Sequence, residues 1–302
     1  MAASVVRVSA LRLGLETFAD ETAMVRAMTA RLQALALEGA QLCVYPGLYG
    51  LCLAGPWPPA IPWTQTLRAA GDLREAFVAV AARAARNAHV YLVPGSVLMP
   101  QGGGYTEWAG LFGPDGSLLG EQGATQPSET LPDLVPAARL APIPTPLGPI
   151  GLLVGDDADV PDVARILTLQ GARLLVAPRA PRAPYTAMRA MAGLWQAVQQ
   201  NQVYGVESGL RGPAAGAERG GKAGAFAPGE LTPDGSGFLG RPGYYVGEGS
   251  LAADLDFERL DDLRRRRPLA RHLNAALYRR GAAAFGGEPG AARAAAAGED
   301  HA

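Results

Sequence analysis

The sequence predicts an α/β protein built in layers, with helices outside a largely buried pair of sheets. Three observations carry that prediction. Strand and helix periodicities alternate along the chain rather than segregating into halves. Several strand segments, such as "GPIGLLVGDD" and "ARLLVAP", are apolar enough to be buried. Hydrophobic residues make up 48% of 302 residues and charged residues 18%, a balance that supplies a sizeable core.

Residues 4–11 alternate as a strand. Residues 20–38 read as an amphipathic helix with Met24, Met28, Leu32 and Leu35 on one face, closed by Gly39. Residues 41–45 are the next strand, and "GPWPPAIPW" is too rich in proline for regular structure. An alanine-rich helix spans 72–87, and "HVYLVPGSVLM" is a buried strand bent at Pro94-Gly95. "TEWAGLFGPDGSLLGEQ" is a hairpin around the turn "PDG". The second half repeats this style. A buried strand in "GPIGLLVGDD" is followed by a short helix over 161–171, the strand "ARLLVAP", a helix over 186–202 and the strand "VYGVES". A glycine-rich loop is expected over 211–224, then a hairpin in "GAFAPGELTPDG", then a strand and short helix in "GSLAADLDFERLDDLRRR". One domain over 1–282 results, with an Ala/Gly-rich tail, 283–302, whose composition favours disorder. No repeat of 20–50 residues is present.

Composition narrows function. A net charge of −1 gives no electrostatic footprint for nucleic acid. The "RRRR" run at 264–267 reads as a solvated helix end that suits the macrodipole and helps a dimer. No apolar run approaches the roughly 20 residues of a membrane span, and the N-terminal stretch lacks the apolar core of a signal peptide. A cytoplasmic location is therefore expected. Cys43 and Cys52 cannot form a disulfide framework, and His89, His272 and His301 leave little for a metal site or a Ser-His-Asp triad. Neither metal nor cofactor is expected. Lys222 is the sole lysine, so any mechanism that needs one must use it. Its segment, "GAERGGKAG", lacks the Ser or Thr and the strand–loop–helix frame of a phosphate-binding P-loop.

Three stretches, in order, resemble the nitrilase superfamily of carbon–nitrogen hydrolases. "EGAQLCVYPGLYG" resembles the segment in which that family's catalytic Glu follows a proline. "FGPDGSLLGEQGATQPSE" resembles the hairpin that carries its Lys. "GPIGLLVGDDADVPDVARIL" resembles the motif that carries its Cys, with Gly148, Ile150, Gly151, Asp157, Pro161, Asp162 and Arg165 in step. The likeness runs over roughly residues 4–280. It implies a four-layer αββα sandwich, commonly paired into a dimer, and a Glu-Lys-Cys hydrolysis of amides or nitriles. Yet the three catalytic places hold Gly47, Ala124 and Gly155. No lysine lies in 119–130 under any alignment.

Covalent catalysis needs an attacking atom and a group that activates it, and the intermediate's charge needs a donor. Gly47, Ala124 and Gly155 supply none of these. A catalytically inactive member is the expectation, binding a small molecule or a protein partner. The replacements remove roughly eleven side-chain heavy atoms, room for a few waters at ~30 Å³ each or for a ligand group. Trp57, Trp63 or Trp108 could fill that space. By the resemblance, Glu129 follows the Lys motif, Glu107 lies near a strand of the site, Asp156 and Asp157 follow the nucleophile place, and Glu207 ends a strand that faces the pocket. A solvated role is the alternative for each. Asp157 reads as a structural turn acceptor. Two other functions stay open: an amidohydrolase with relocated groups that uses Cys52, and a structural subunit paired with an active paralogue.

Overall fold

The computed structural model describes residues 4–55, 73–128 and 134–278. Trp57, Trp63, Glu129, His301 and the tail over 283–302 lie outside them. In chain order, β1 (Val5–Leu13), α1 (Glu21–Leu37), β2 (Leu42–Val44) and α2 (Arg74–Ala88) lead to β3 (Tyr91–Val93), β4 (Ser96–Gln101), β5 (Gly104–Phe112) and β6 (Leu118–Gly123). Next come β7 (Ile150–Leu152), α3 (Pro161–Leu169), β8 (Leu174–Arg179), α4 (Ala187–Ala190) and α5 (Gln196–Asn201). The chain continues through β9 (Tyr204–Ala214), β10 (Ala217–Gly220), β11 (Gly224–Phe226), β12 (Phe238–Leu239), β13 (Gly249–Asp256) and α6 (Phe257–Arg266).

The strands form two leaves joined where the ends of β1 and β9 pair in parallel, Arg12 opposite Gly209. One leaf holds β13, β1, β2, β3, β5, β4 and β6; the other holds β7, β8, β9, β11 and β12. Strand alternation shows how the leaves pack. Leu42 and Val44 join the cluster that also contains Leu174 and Val176 of the other leaf. Cys43 turns instead to a cluster with Met24, Met28 and Leu32 of α1 and Phe77 of α2. Leu175 and Ala177 turn to Val163 and Leu167 of α3 and to Val198 of α5. Three apolar layers between four layers of secondary structure make an αββα sandwich.

Local chemistry sets the element ends. Asp20 caps α1 by accepting from the Ala23 N–H at 2.7 Å. Gly39, at φ +92°, turns the chain out of that helix while the Ala40 N–H bonds back to Leu35 O at 3.0 Å. Met24, Met28, Leu32 and Leu35 are buried, as the periodicity predicts.

Three expected elements differ. The run over 90–99 is two strands, because Pro94 and the left-handed Gly95 release β3 from the register that β4 then makes with β5. The helix over 186–202 breaks into α4 and α5 at Gly193, whose φ −92° and ψ −120° are not helical. The stretch over 211–224 is not a loop. β9 runs on to Ala214 and pairs with β10 across a two-residue turn, Ala215-Gly216, with both φ values positive at 51° and 70°. That geometry matches the twist of a tight hairpin, and the many glycines conceal the strand pattern. The arginine run folds back on its own chain: Arg265 and Arg266 pair with Asp262, Arg267 with Glu230, and Arg264 bonds backbone carbonyls. No described helix is long and apolar enough to cross a membrane.

Candidate functional site

Three sharp chain reversals meet at one end of the inner layer. The loop after β2 carries Gly47, the end of the β5–β6 hairpin carries Ala124, and the turn after β7 carries Gly155. The Ala124 N–H donates to the Glu107 carbonyl at 2.8 Å, so the hairpin holds Ala124 directly against Glu107. Gly155 sits in the left-handed region at φ +62°. A Cβ built there would lie 2.9 Å from Glu107 Oε2 and 3.5 Å from the Ala124 Cβ. Glu107, Ala124 and Gly155 are therefore one cluster, and the Glu107 carboxyl stands where a side chain at 155 would begin.

Gly47 is closed in a different way. A Cβ at 47 would come within 2.9 Å of Arg179 C and Pro178 O and 3.1 Å of Ala180 N, all backbone atoms. The Gly47 N–H also donates to Arg179 O at 3.1 Å. The next residue links the two halves of the site. The Leu48 N–H donates to Ser96 Oγ at 2.7 Å, and the Ser96 hydroxyl donates to Glu107 Oε1. The expected vacancy is thus largely taken up, by main chain at 47 and by a carboxyl at 155. Trp108 does not fill it, for it points outward to the layer beside α1 and α2, with its indole N–H on Glu121 and the Arg74 guanidinium 4.9 Å from its ring.

Burial sets the ionisation here. Glu107 is 2% exposed. Burial pushes its carboxyl up to about 7, with Asp156 and Asp157 adding to the rise while the Ser96 hydroxyl and Arg219 oppose it. Arg219 is also buried, and burial lowers it to about 10 against the pull of Glu107. Its Nε and Nη1 donate to Ala214 O at 3.0 Å and Ala180 O at 2.8 Å, which ties the β9–β10 turn to the segment that closes on Gly47. Asp157 is fully buried and accepts from the Thr125 N–H and hydroxyl at 2.9 Å each and from the Gln126 N–H at 3.0 Å. It pins the hairpin end to the turn after β7, and burial raises it to about 6 despite those bonds. Asp156 accepts from the Ser128 hydroxyl at 2.7 Å.

The other candidates lie elsewhere. Glu207 points to the outer side of its leaf, beneath the α4–α5 break. There Tyr185 OH reaches its Oε1 at 3.4 Å, and burial raises its carboxyl to about 7. Arg179 shares that side, 1% exposed and paired to Asp159 at 2.6 Å. Cys52 does not join the cluster at Gly155, a correction to its place among pocket residues. The loop after β2 carries it back into the apolar layer beside α1 and α2, where its Sγ accepts from the Glu16 N–H at 3.3 Å. Burial pushes its thiol up to about 12, far from a reactive thiolate. Among the described residues, no three His, Cys, Asp or Glu side chains converge as metal ligands would. What the cluster offers chemically is a carboxyl able to hold or release a proton near neutral pH, with no thiol or lysine shown beside it among the described residues; the one hydroxyl bonded to it, that of Ser96, is fully buried and also accepts from the Leu48 N–H.

The carbon–nitrogen hydrolase family model matches residues 7–210, more than half of the chain. The chain belongs to that family. A search of curated proteins found no match. Among solved structures, it is similar to a carbon–nitrogen hydrolase from Helicobacter pylori G27, at 19% identity and a TM-score of 0.72, covering 92% of this chain and 98% of that one. It is also similar to an amidase from Nesterenkonia sp., at 22% identity and a TM-score of 0.68, covering 93% of this chain and 97% of that one. A double mutant of the Nesterenkonia sp. AN1 amidase in complex with acrylamide gives 22% identity and a TM-score of 0.68, over 92% and 97% of the two chains. These likenesses confirm the fold of a carbon–nitrogen hydrolase family member.

Sequence reasoning missed Ser96, Arg179 and Arg219. A signal existed for Arg179, a charge set directly after the buried run "LLVAP". Arg219 was masked by reading its strand as loop.

Proposed function

We propose that this carbon–nitrogen hydrolase family member is catalytically silent toward amides and nitriles and acts through binding, as a homodimer or beside a paralogous subunit. One observation carries the reading: two of the three catalytic places, 47 and 155, are not merely empty but taken up by other groups. Main chain occupies the space beside Gly47, and the Glu107 carboxyl occupies the space beside Gly155. A site kept for an amide would need that volume. A carboxyl that holds a proton near neutral pH is a usable acid or base, but the one hydroxyl on it, that of Ser96, has no exposed surface from which to attack a substrate, so no acyl intermediate is expected. The rebuilt centre also favours partner binding over a small molecule held at the old site. Ile166 on α3 and Met188 on α4 are apolar and exposed, 43% and 77%, and suit contact with a second copy.

The relocated-hydrolase reading loses its main support with Cys52 in the outer apolar layer. Incubating the pure protein with a broad panel of amides and nitriles tests the proposal, and no turnover above buffer is expected. Turnover that disappears in Cys52→Ala or Glu107→Gln would overturn it. Native mass spectrometry of the protein from its own cells separates the partners: homodimers support self-pairing, heteromers support the paralogue, and monomers alone refute both.

A further inference from the structure

A small cleft of about 210 Å³ opens between α3, the end of α5 and the chain after α6. Arg165, Arg264 and Arg271 line it, and among the described residues no Asp or Glu does. In a chain of net charge −1 this is a concentration of positive charge. The arginines divide into a fixed one and two free ones. Arg264 is held in place, its Nε donating to Gln202 O at 2.8 Å and its Nη2 to Ala172 O at 3.2 Å. Arg165 and Arg271 have no ion pair with any described residue.

A second observation is independent of charge. Asn201, 6% exposed, also lines the cleft. Its Nδ2 donates to Ala197 O at 2.7 Å, while its buried Oδ1 accepts nothing from any described residue. A buried acceptor left without a donor costs roughly 1–3 kcal/mol, so such a group ordinarily has a partner. Leu169 and Leu269 complete the wall with apolar surface.

We infer that this cleft is a binding site for a small organic oxyanion, a phosphate or carboxylate carried on a short hydroxylated carbon chain. The charged group would lie among Arg165, Arg264 and Arg271, where forked guanidinium donors match oxyanion geometry. A small rotation of the Asn201 amide, whose Oδ1 is closed off from solvent here, would let that oxygen accept from a ligand hydroxyl, and the carbon chain would rest on Leu169 and Leu269. The volume is below the roughly 300 Å³ at which sites for drug-sized ligands begin, so the occupant is small. The site is separate from the Glu107 cluster, so its failure would leave the proposed function standing, and the reverse also holds.

The test is calorimetric titration at fixed ionic strength with glycerol phosphate and glycerate, the two arms separating phosphate from carboxylate. Saturable one-to-one binding of either is expected. The double variant Arg165→Ala/Arg271→Ala should weaken it roughly tenfold or more, because each removes a charge-assisted contact. Asn201→Asp, which sets a carboxylate against the anion, should weaken it by a similar factor. Arg265→Ala, outside the cleft and paired with Asp262, should bind as the parent does. Absence of saturable binding to both probes, or a double variant that binds as tightly as the parent, would overturn the inference. The arginine variant decides the matter even if Asn201→Asp fails to fold, since neither arginine side chain bonds a described residue.

Discussion

Gly47→Ala probes the central physical claim, that the chain has closed on the place where a catalytic carboxylate would stand. The added methyl would lie 2.9 Å from Arg179 C and Pro178 O and 3.1 Å from Ala180 N. Carbon atoms pack best at about 3.5–4.0 Å, so a shift of roughly half an ångström or more is required. The 178–180 segment cannot give way freely. It is paired with β9 through Arg179 opposite Gly209, anchored by the Arg179–Asp159 ion pair, and bonded from Arg219 to Ala180 O. Overpacking of this kind costs about 1–3 kcal/mol. Stretching the Gly47 N–H bond to Arg179 O adds roughly 0.5–1.5 kcal/mol. Lost freedom in the unfolded chain offsets about 0.4–1 kcal/mol. The net destabilisation is then roughly 1–3 kcal/mol.

Gly47 is not in the left-handed region, so the cost would report packing and not backbone strain. Gly14→Ala is the matched control. Its Cβ would meet only Arg211 O, at an ordinary 3.5 Å, and its φ is likewise unstrained. It should lie within about 0.5 kcal/mol of the parent or slightly above it. Equilibrium urea unfolding reads both, as a shifted midpoint at constant slope. If Gly47→Ala matches Gly14→Ala, the 178–180 main chain does not close on position 47, and the rebuilt-site argument falls.

Glu107→Gln tests the buried carboxyl. Its folded value is raised from 4.5 to about 7, so the protonated form is the stable one. The contribution is fully present below about 4.5, declines as pH rises, and levels off above about 7, a difference of roughly 3 kcal/mol. The variant should therefore match the parent near pH 4.5 and exceed it at pH 8; a constant difference between the two across that range would contradict the reading. Glu207 is raised in the same direction and window, so the parent's pH dependence should shrink in Glu107→Gln without vanishing. Asp157→Ala strands the N–H groups of Thr125 and Gln126 and should cost about 3 kcal/mol by urea unfolding; a loss under about 0.5 kcal/mol would remove Asp157 from its structural role. Cys43 and Cys52 are both buried, with their thiols pushed up to about 12. A disulfide reagent at pH 8 should label neither until denaturant is added, and rapid native labelling of Cys52 would revive the relocated nucleophile.

The layers were legible because they depend on periodicity. Alternation along β2 and β8 assigns successive side chains to opposite layers, and the face of α1 can be counted directly from sequence. The β9–β10 hairpin was not legible, because its signal is a pair of positive φ values at Ala215 and Gly216 rather than a hydrophobic pattern. At the site, the residue types at Gly47, Ala124 and Gly155 could be read, but not what surrounds them. A glycine in sequence states only that no Cβ is present. Whether water, another side chain or main chain fills the space depends on residues more than a hundred positions away, as Arg179 and Gly47 are.

The two fillings differ in reversibility, and that difference bears on how the centre was rebuilt. Beside Gly155 the occupant is the end of a side chain, Glu107, which could rotate away if a larger residue returned, although φ +62° would still strain it. Beside Gly47 the occupant is main chain, held by strand pairing on one side and by the buried Arg179 and Arg219 on the other. Placing a carboxylate at 47 would require the 178–180 main chain to shift and would disturb the Arg219 bond to Ala180 O. On the proposed reading, a glycine at 155 would remove chemistry at one position, whereas closure at 47, held in place by the Arg179 ion pair and the Arg219 bond to Ala180 O, would remove the room for it.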